Sequence, residues 1–76
     1  MRADNDGMAL HWIREATIQL VDGYSVHDQD GREIDLVRDG WVAFDGGFAH
    51  IVVPNVANVQ VVASTAVWRI TYRRRA

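Results

Sequence analysis

Two apolar runs joined by a pair of glycines constrain this chain more than any other feature. Gly40 to Pro54 reads Gly-Trp-Val-Ala-Phe-Asp-Gly-Gly-Phe-Ala-His-Ile-Val-Val-Pro. Glycine reaches positive φ with no Cβ to clash, so a two-residue primed turn at Gly46-Gly47 matches the right-handed twist of two flanking strands. With that turn, Phe44 faces Ala49, Val42 faces Ile51 and Gly40 faces Val53. One side of the hairpin, Val42, Phe44, Ala49, Ile51 and Val53, is then the core face. The other side sets Trp41 across from Val52, Ala43 across from His50 and Asp45 across from Phe48. A solvated sheet face is ordinarily polar, and this one is not. Trp41, Phe48, His50 and Val52 are therefore read as a binding face that something else covers. A slip of one residue would instead turn Trp41 inward and Val42 and Phe44 outward.

Seventy-six residues read as one domain, 1–76, with a flexible start over 1–7 and a basic tail over 73–76. A domain of this size buries only about 60 per cent of its unfolded surface, so its stability margin is thin. The absence of cysteine removes disulfides and the commonest zinc sites, which leaves self-association as the expected support. Valine and isoleucine are plentiful while leucine occurs only at Leu10, Leu20 and Leu36, a composition that favours strands over a helical bundle.

The net charge of -2 argues against a general nucleic-acid binder, which needs clustered cations. The charge is nevertheless uneven: acid lies at Asp4, Asp6 and between Asp22 and Asp45, whereas Arg69, Arg73, Arg74 and Arg75 make the C-terminus basic. All eight cations are arginine, which together with abundant Ala, Val, Gly and Asp suggests GC-rich coding and a bacterial or phage source. No apolar run approaches the roughly 20 residues that span a bilayer, and the acidic start is no signal peptide, so a cytoplasmic location is expected.

Along the chain, Asp4, Asn5 or Asp6 can cap a short helix over Met8 to Glu15. The alternative is direct entry into a strand, since His11-Trp12-Ile13-Arg14 also alternates; the helix is the preferred reading. Thr17 to Val21 is a strand, and Asp22-Gly23, Asp30-Gly31, Asp39-Gly40 and Asp45-Gly46-Gly47 are turn signals at meander spacing. A hairpin about Asp30-Gly31 pairs His27 with Ile34 and Ser25 with Leu36, and its polar tip projects into water. Pro54 to Asn58 is a turn. Val59 to Ala63 is a further strand. In the last one Ala66, Trp68, Ile70 and Tyr72 face inward while Val67, Arg69, Thr71 and Arg73 face outward.

Five or six short antiparallel strands must close, or nearly close, to bury one face each. The expected fold is therefore all-β, a small SH3-like or Sm-like meander or barrel with at most one short N-terminal helix; an OB barrel is the further member of that class. The run Thr17-Ile-Gln-Leu-Val-Asp-Gly resembles the first strand and turn of Sm-like proteins, which a helix also precedes. The resemblance ends at Gly23. Later motif glycines and the asparagine of that family have no counterpart here, so no RNA-binding residue is carried over.

Catalytic chemistry has little to stand on. His11, His27 and His50 lack the i, i+4 or i, i+2 pairing of metal ligands, and Asp28, Asp30, Gly31, Glu33 and Asp35 lack the spacing of a calcium-binding EF-hand loop. There is no Cys, no Lys and no nucleophile motif around Ser25 or Ser64, and the carboxylates sit where turn chemistry explains them. No catalytic residue, metal or cofactor is expected, and the chain reads as a non-enzyme. Arg69, Arg73, Arg74 and Arg75 interleave with Trp68 and Tyr72 like a cationic strand with stacking groups, but strict alternation sends those aromatics to the core. The reading is a small homo-oligomeric binding module that occupies a protein partner or sequesters a small ligand through Trp41, Phe48, His50 and Val52. The alternative is a nucleic-acid-binding β-barrel that uses the C-terminal arginines.

Overall fold

A computed structural model describes residues 10–74 as an all-β chain. Its strands are β1 (Ile13–Leu20), β2 (Val26–His27), β3 (Glu33–Ile34), β4 (Leu36–Asp45), β5 (Phe48–Val52), β6 (Gln60–Ala63) and β7 (Val67–Thr71), with a 3₁₀ turn over Ser64–Ala66. Five of them form an antiparallel sheet in the order β6-β5-β4-β1-β7, and β2 with β3 forms a separate two-stranded ribbon. The sheet does not close: β6 and β7 remain its edges. Among the described residues no helix is long and apolar enough to cross a membrane.

The central hairpin has the register read from its glycines. Trp41 pairs with Val52, Val42 with Ile51, Ala43 with His50, Phe44 with Ala49 and Asp45 with Phe48. Gly46 and Gly47 carry φ of 60° and 85°, the two left-handed positions of a type I′ turn. Val42, Ala49, Ile51 and Val53 join Ala16, Ile18, Leu20, Val26 and Val37 in one buried cluster, as the core-face assignment requires. Phe44 does not. The ladder between β1 and β4 ends at Ile13 opposite Val42, so Phe44 lies beyond the last strand that could cover it and stands largely in solvent.

Other expectations fail for reasons of local geometry. The N-terminal helix is not formed: Leu10 to Trp12 have no regular structure and Ile13 to Glu15 belong to β1, while Met8, Ala9 and the start over 1–7 lie outside the described residues. The β2–β3 ribbon pairs Val26 with Ile34 and His27 with Glu33, one residue away from the expected register. The cause is a longer loop. The Asp28 amide donates to the Arg32 carbonyl and the Asp28 side chain accepts from the amides of Asp30 and Arg32, each at 2.9 Å; Gly31 has φ of 78°. That is a three-residue loop ending on a left-handed glycine instead of a two-residue turn.

Asp39-Gly40, expected as a turn, lies inside β4. Two opposed bulges explain how the strand passes through it. Between the pairs Ile13–Val42 and Ala16–Gly40, β1 contains one extra residue and Glu15 adopts φ of 53°. Between Ala16–Gly40 and Ile18–Val37 the extra residue belongs to β4, and Asp39 adopts φ of 56°. Each bulge re-phases its strand, so Ile13 and Ala16 both pack inward although three apart, as do Val37 and Gly40. Gly40 itself is fully hemmed in: a Cβ there would lie 2.6 Å from Val37 Cγ1 and 2.8 Å from the Val52 carbonyl oxygen.

A third bulge corrects the reading of the last strand. Leu20 pairs with Val67 but Gln19 with Arg69, which leaves Trp68 as the extra residue. Val67 and Ile70 both pack on the core, and Trp68 and Arg69 both point out, the guanidinium 4.4 Å from the indole ring. Strict alternation had placed Trp68 and Tyr72 inside, and neither is there.

The ribbon is tied to the sheet by a side chain. Gln60, on edge strand β6, accepts from the His27 amide and donates to the His27 carbonyl, both at 2.8 Å. One carboxamide thereby takes the place of a neighbouring strand's backbone.

Candidate functional site

None of the seven aromatic residues belongs to the buried cluster. Trp41 is 37 % exposed, Phe44 45 %, Phe48 50 %, Tyr72 55 % and Trp68 61 %, values far above those of core side chains. The core is filled by Val, Ile, Ala and Leu alone. Aromatic rings are the largest apolar groups the chain owns, and leaving them outside in a small domain creates surface that favours contact.

The four residues read as a binding face do share one side of the sheet. The cross-strand pairs put Trp41, His50 and Phe48 on the side opposite Val42, Ile51 and Ala49, with Val52 beside Trp41. Phe48 is exposed, while His50 and Val52 are half-buried. Ala43, expected on the same side, is fully buried, a small residue opposite the larger His50. β6 extends the face: Val61 pairs with His50 and is itself half exposed.

Two further members come from β1 and the residue before it. The Trp12 ring lies 6.1 Å from Trp41 at an interplanar angle of 56°, and the Arg14 guanidinium sits 4.6 Å from the Trp41 ring centroid. Trp41 is thus partly covered from within the chain, by the entry to β1 and not by a helix. The alternation of His11-Trp12-Ile13-Arg14 already carried this signal, since a strand there places Trp12 and Arg14 on one face. Val61 was legible in the same way from its alternation with Gln60 and Val62. A shallow groove beside Trp41 is lined by Asp39, Val52, Pro54 and Asn55. Val53 to Val56 make its turn, with the Val56 amide donating to the Val53 carbonyl at 3.1 Å and Asn55 at φ of 66°.

The cationic residues divide between two places. Arg69 is stacked on Trp68 on the outer side of edge strand β7. Arg73 and Arg74 follow the end of β7 and, with Tyr72, line a cleft whose other wall is the start of β1 and the residues before it, including Trp12, Arg14 and Glu15. Arg75 lies outside the described residues. The acidic Asp28, Asp30, Glu33 and Asp35 belong to the ribbon, which joins the sheet at the opposite end of β1, where Leu20 donates to the Asp35 carbonyl at 2.8 Å. Among the described residues no group of three or more His, Cys, Asp or Glu stands close enough to hold a metal ion. Compared with known proteins, the chain matches no family model, no curated protein and no solved structure.

Proposed function

We propose that this chain is an SH3-like interaction module that acts as a homo-oligomer, its subunits meeting through the outer face of β4, β5 and β6. The observation that carries the reading is the placement of every aromatic ring outside the core, with Trp41, Phe48 and Val61 on one sheet face. A first strand that pairs with both β4 and the last strand supports the SH3-like assignment, because it brings the two ends of a meander together as a small barrel requires. The reading is a non-catalytic one. Function resides in what the face covers, and a second copy is the proposed occupant because a two-fold contact sets the same patch on both subunits against itself, apolar surface on apolar surface.

Fully burying one large apolar side chain contributes about 1.5 to 3 kcal/mol. Phe48 and Val61 are each half exposed, so covering both in two copies contributes about 3 to 6 kcal/mol, a substantial fraction of the roughly 8 kcal/mol of a micromolar association. Light scattering coupled to size exclusion, at micromolar concentration, should give a mass above that of the monomer. Phe48→Ser combined with Val61→Ser should return it to the monomer with its strand spectrum intact. A wild-type chain that is monomeric at all concentrations, with a concentration-independent melt, would remove the proposal.

A further inference from the structure

We propose that the outer side of β7, from the Trp68–Arg69 stack to the cleft of Tyr72, Arg73 and Arg74, is a binding site for single-stranded nucleic acid. Its essential residues are on β7 and the segment after it, whereas the self-association face is built on β4, β5 and β6; the two adjoin at Trp12 and Arg14, which pack on Trp41 and also line the cleft. The inference rests on what the β7 bulge does. By making Trp68 the unpaired residue, it turns an indole and the adjacent guanidinium to the same side of an edge strand, where a base and its phosphate would meet them together.

From Trp68 to Arg73 the chain spans about 17 Å at strand rise, room for a few extended nucleotides. Along that length stand Arg69, Arg73 and Arg74 for phosphates, and Trp68 and Tyr72, both more than half exposed, for base faces. Arg14 and Trp12 add a cation and a ring on the far wall of the cleft, against one carboxylate, Glu15. The net charge of the chain is held down by acids gathered on the ribbon, which joins the sheet at the Leu20 end of β1. That end is far from the cleft of Tyr72, Arg73 and Arg74 but is shared by Arg69, whose strand partner is Gln19. Stacking on exposed rings needs unpaired bases, so the geometry selects single strands over a duplex, whose bases are already stacked.

The test uses fluorescence anisotropy of a labelled twelve-nucleotide oligothymidylate, the matching oligouridylate, a duplex of the same length and a heparin fragment, between about 20 and 200 mM salt. Neutralising about three phosphates should give a slope of log K against log salt near -2 on the single strands. Arg73→Glu with Arg74→Glu should weaken that binding by at least about tenfold. Trp68→Ala and Tyr72→Ala should each weaken it about tenfold while leaving heparin binding unchanged, since stacking is lost and charge is not. The Phe48→Ser, Val61→Ser variant should bind the oligonucleotides like the wild type, so a failure of self-association does not touch this result. Three outcomes overturn the proposal. One is no binding of either single strand at about 20 mM salt. Another is binding that follows charge alone, with duplex and heparin bound as tightly and the aromatic variants silent. The third is an arginine effect that proves to be salt-sensitive self-association, the cleft engaging the acidic ribbon of a second copy.

Discussion

Replacing Gly40 by alanine adds one carbon to the most crowded backbone position in the sheet. The new Cβ would stand 2.6 Å from Val37 Cγ1, 2.8 Å from the Val52 carbonyl oxygen and 3.4 Å from Ile18 Cδ1, and the first two are closer than real Cβ atoms come. Val37 is fully buried and its methyl has no solvent to swing into; the Val52 carbonyl belongs to the backbone opposite β4, so relief requires the central hairpin itself to shift. Overpacking of this kind costs about 1 to 3 kcal/mol, and an immovable backbone atom puts Gly40 at the upper end. Alanine restricts the unfolded chain and returns about 0.4 to 1 kcal/mol. The net loss is about 2 kcal/mol, which in a domain of this size lowers Tm by roughly 8 to 16 °C. Thermal and urea melts followed by circular dichroism measure it, with an unchanged urea slope showing that stability and not compactness has moved. Gly46→Ala is the control, because a Cβ there meets nothing within 4 Å and only the left-handed φ resists, at about 1 to 2 kcal/mol. A Gly40→Ala protein within 0.5 kcal/mol of the wild type, on the scale of ordinary surface changes, would refute the packing described around β4.

Three other measurements follow from the same geometry. Gln60→Ala removes both hydrogen bonds to His27 and should cost about 1 to 3 kcal/mol, with faster amide exchange confined to the ribbon over 26–34; exchange accelerated equally through the main sheet would contradict the local tie. Glu15→Gly should raise stability by up to about 1 kcal/mol and Glu15→Val should lower it by at least as much, because a left-handed residue favours glycine and penalises a β-branched side chain; equal effects of the two in urea melts would rule out the β1 bulge. Trp41→Ser should destabilise the fold by more than Phe44→Ser, since Trp41 packs on Trp12 and Arg14 whereas Phe44 lies past the end of the β1–β4 ladder; the reverse order in thermal melts would contradict both the exposure of Phe44 and the cover of Trp41 by Trp12 and Arg14.

The register of the central hairpin was legible because its two glycines and the period of its apolar residues agree, and a one-residue error there would have exposed Val42 and Ile51 together. The exposure of Phe44 was not, since it depends on where β1 stops. The same logic failed wherever the chain departs from period two. Nothing in Arg14-Glu15-Ala16 or Arg38-Asp39-Gly40 announces a bulge, because Glu and Asp are not obliged to take positive φ; only the pairing with a neighbouring strand forces it. Asp39-Gly40 looked like a turn since Asp-Gly usually is one, yet this glycine is present to make room and not to bend the chain. Trp68 was misplaced by the same omission: one unpaired residue reverses every inside-outside assignment on one side of it. The face of Trp41, Phe48, His50 and Val52 was readable as a face, whereas Trp12 and Arg14 were hidden by the choice of a helix over a strand. A helical hydrophobic side at Leu10, Trp12, Ile13 and Ala16 and a bulged strand there leave nearly the same apolar spacing.

The Gln60 clamp also orders events in time. A strand normally recruits its neighbour through several amides that form together, but His27 is held to β6 by a single side chain across a separation of 33 residues. Closing so long a loop for two bonds is unfavourable until β6 is already fixed beside β5, so docking of the ribbon onto this edge is a late step in folding. In the finished molecule the same arithmetic runs backward: the ribbon can lift away from β6 without breaking a bond of the five-stranded ladder. Val26, buried in the core cluster, and the Leu20 to Asp35 bond hold the ribbon as well, but neither belongs to the ladder, so the acidic hairpin has its own opening equilibrium and will report loosening before the sheet does.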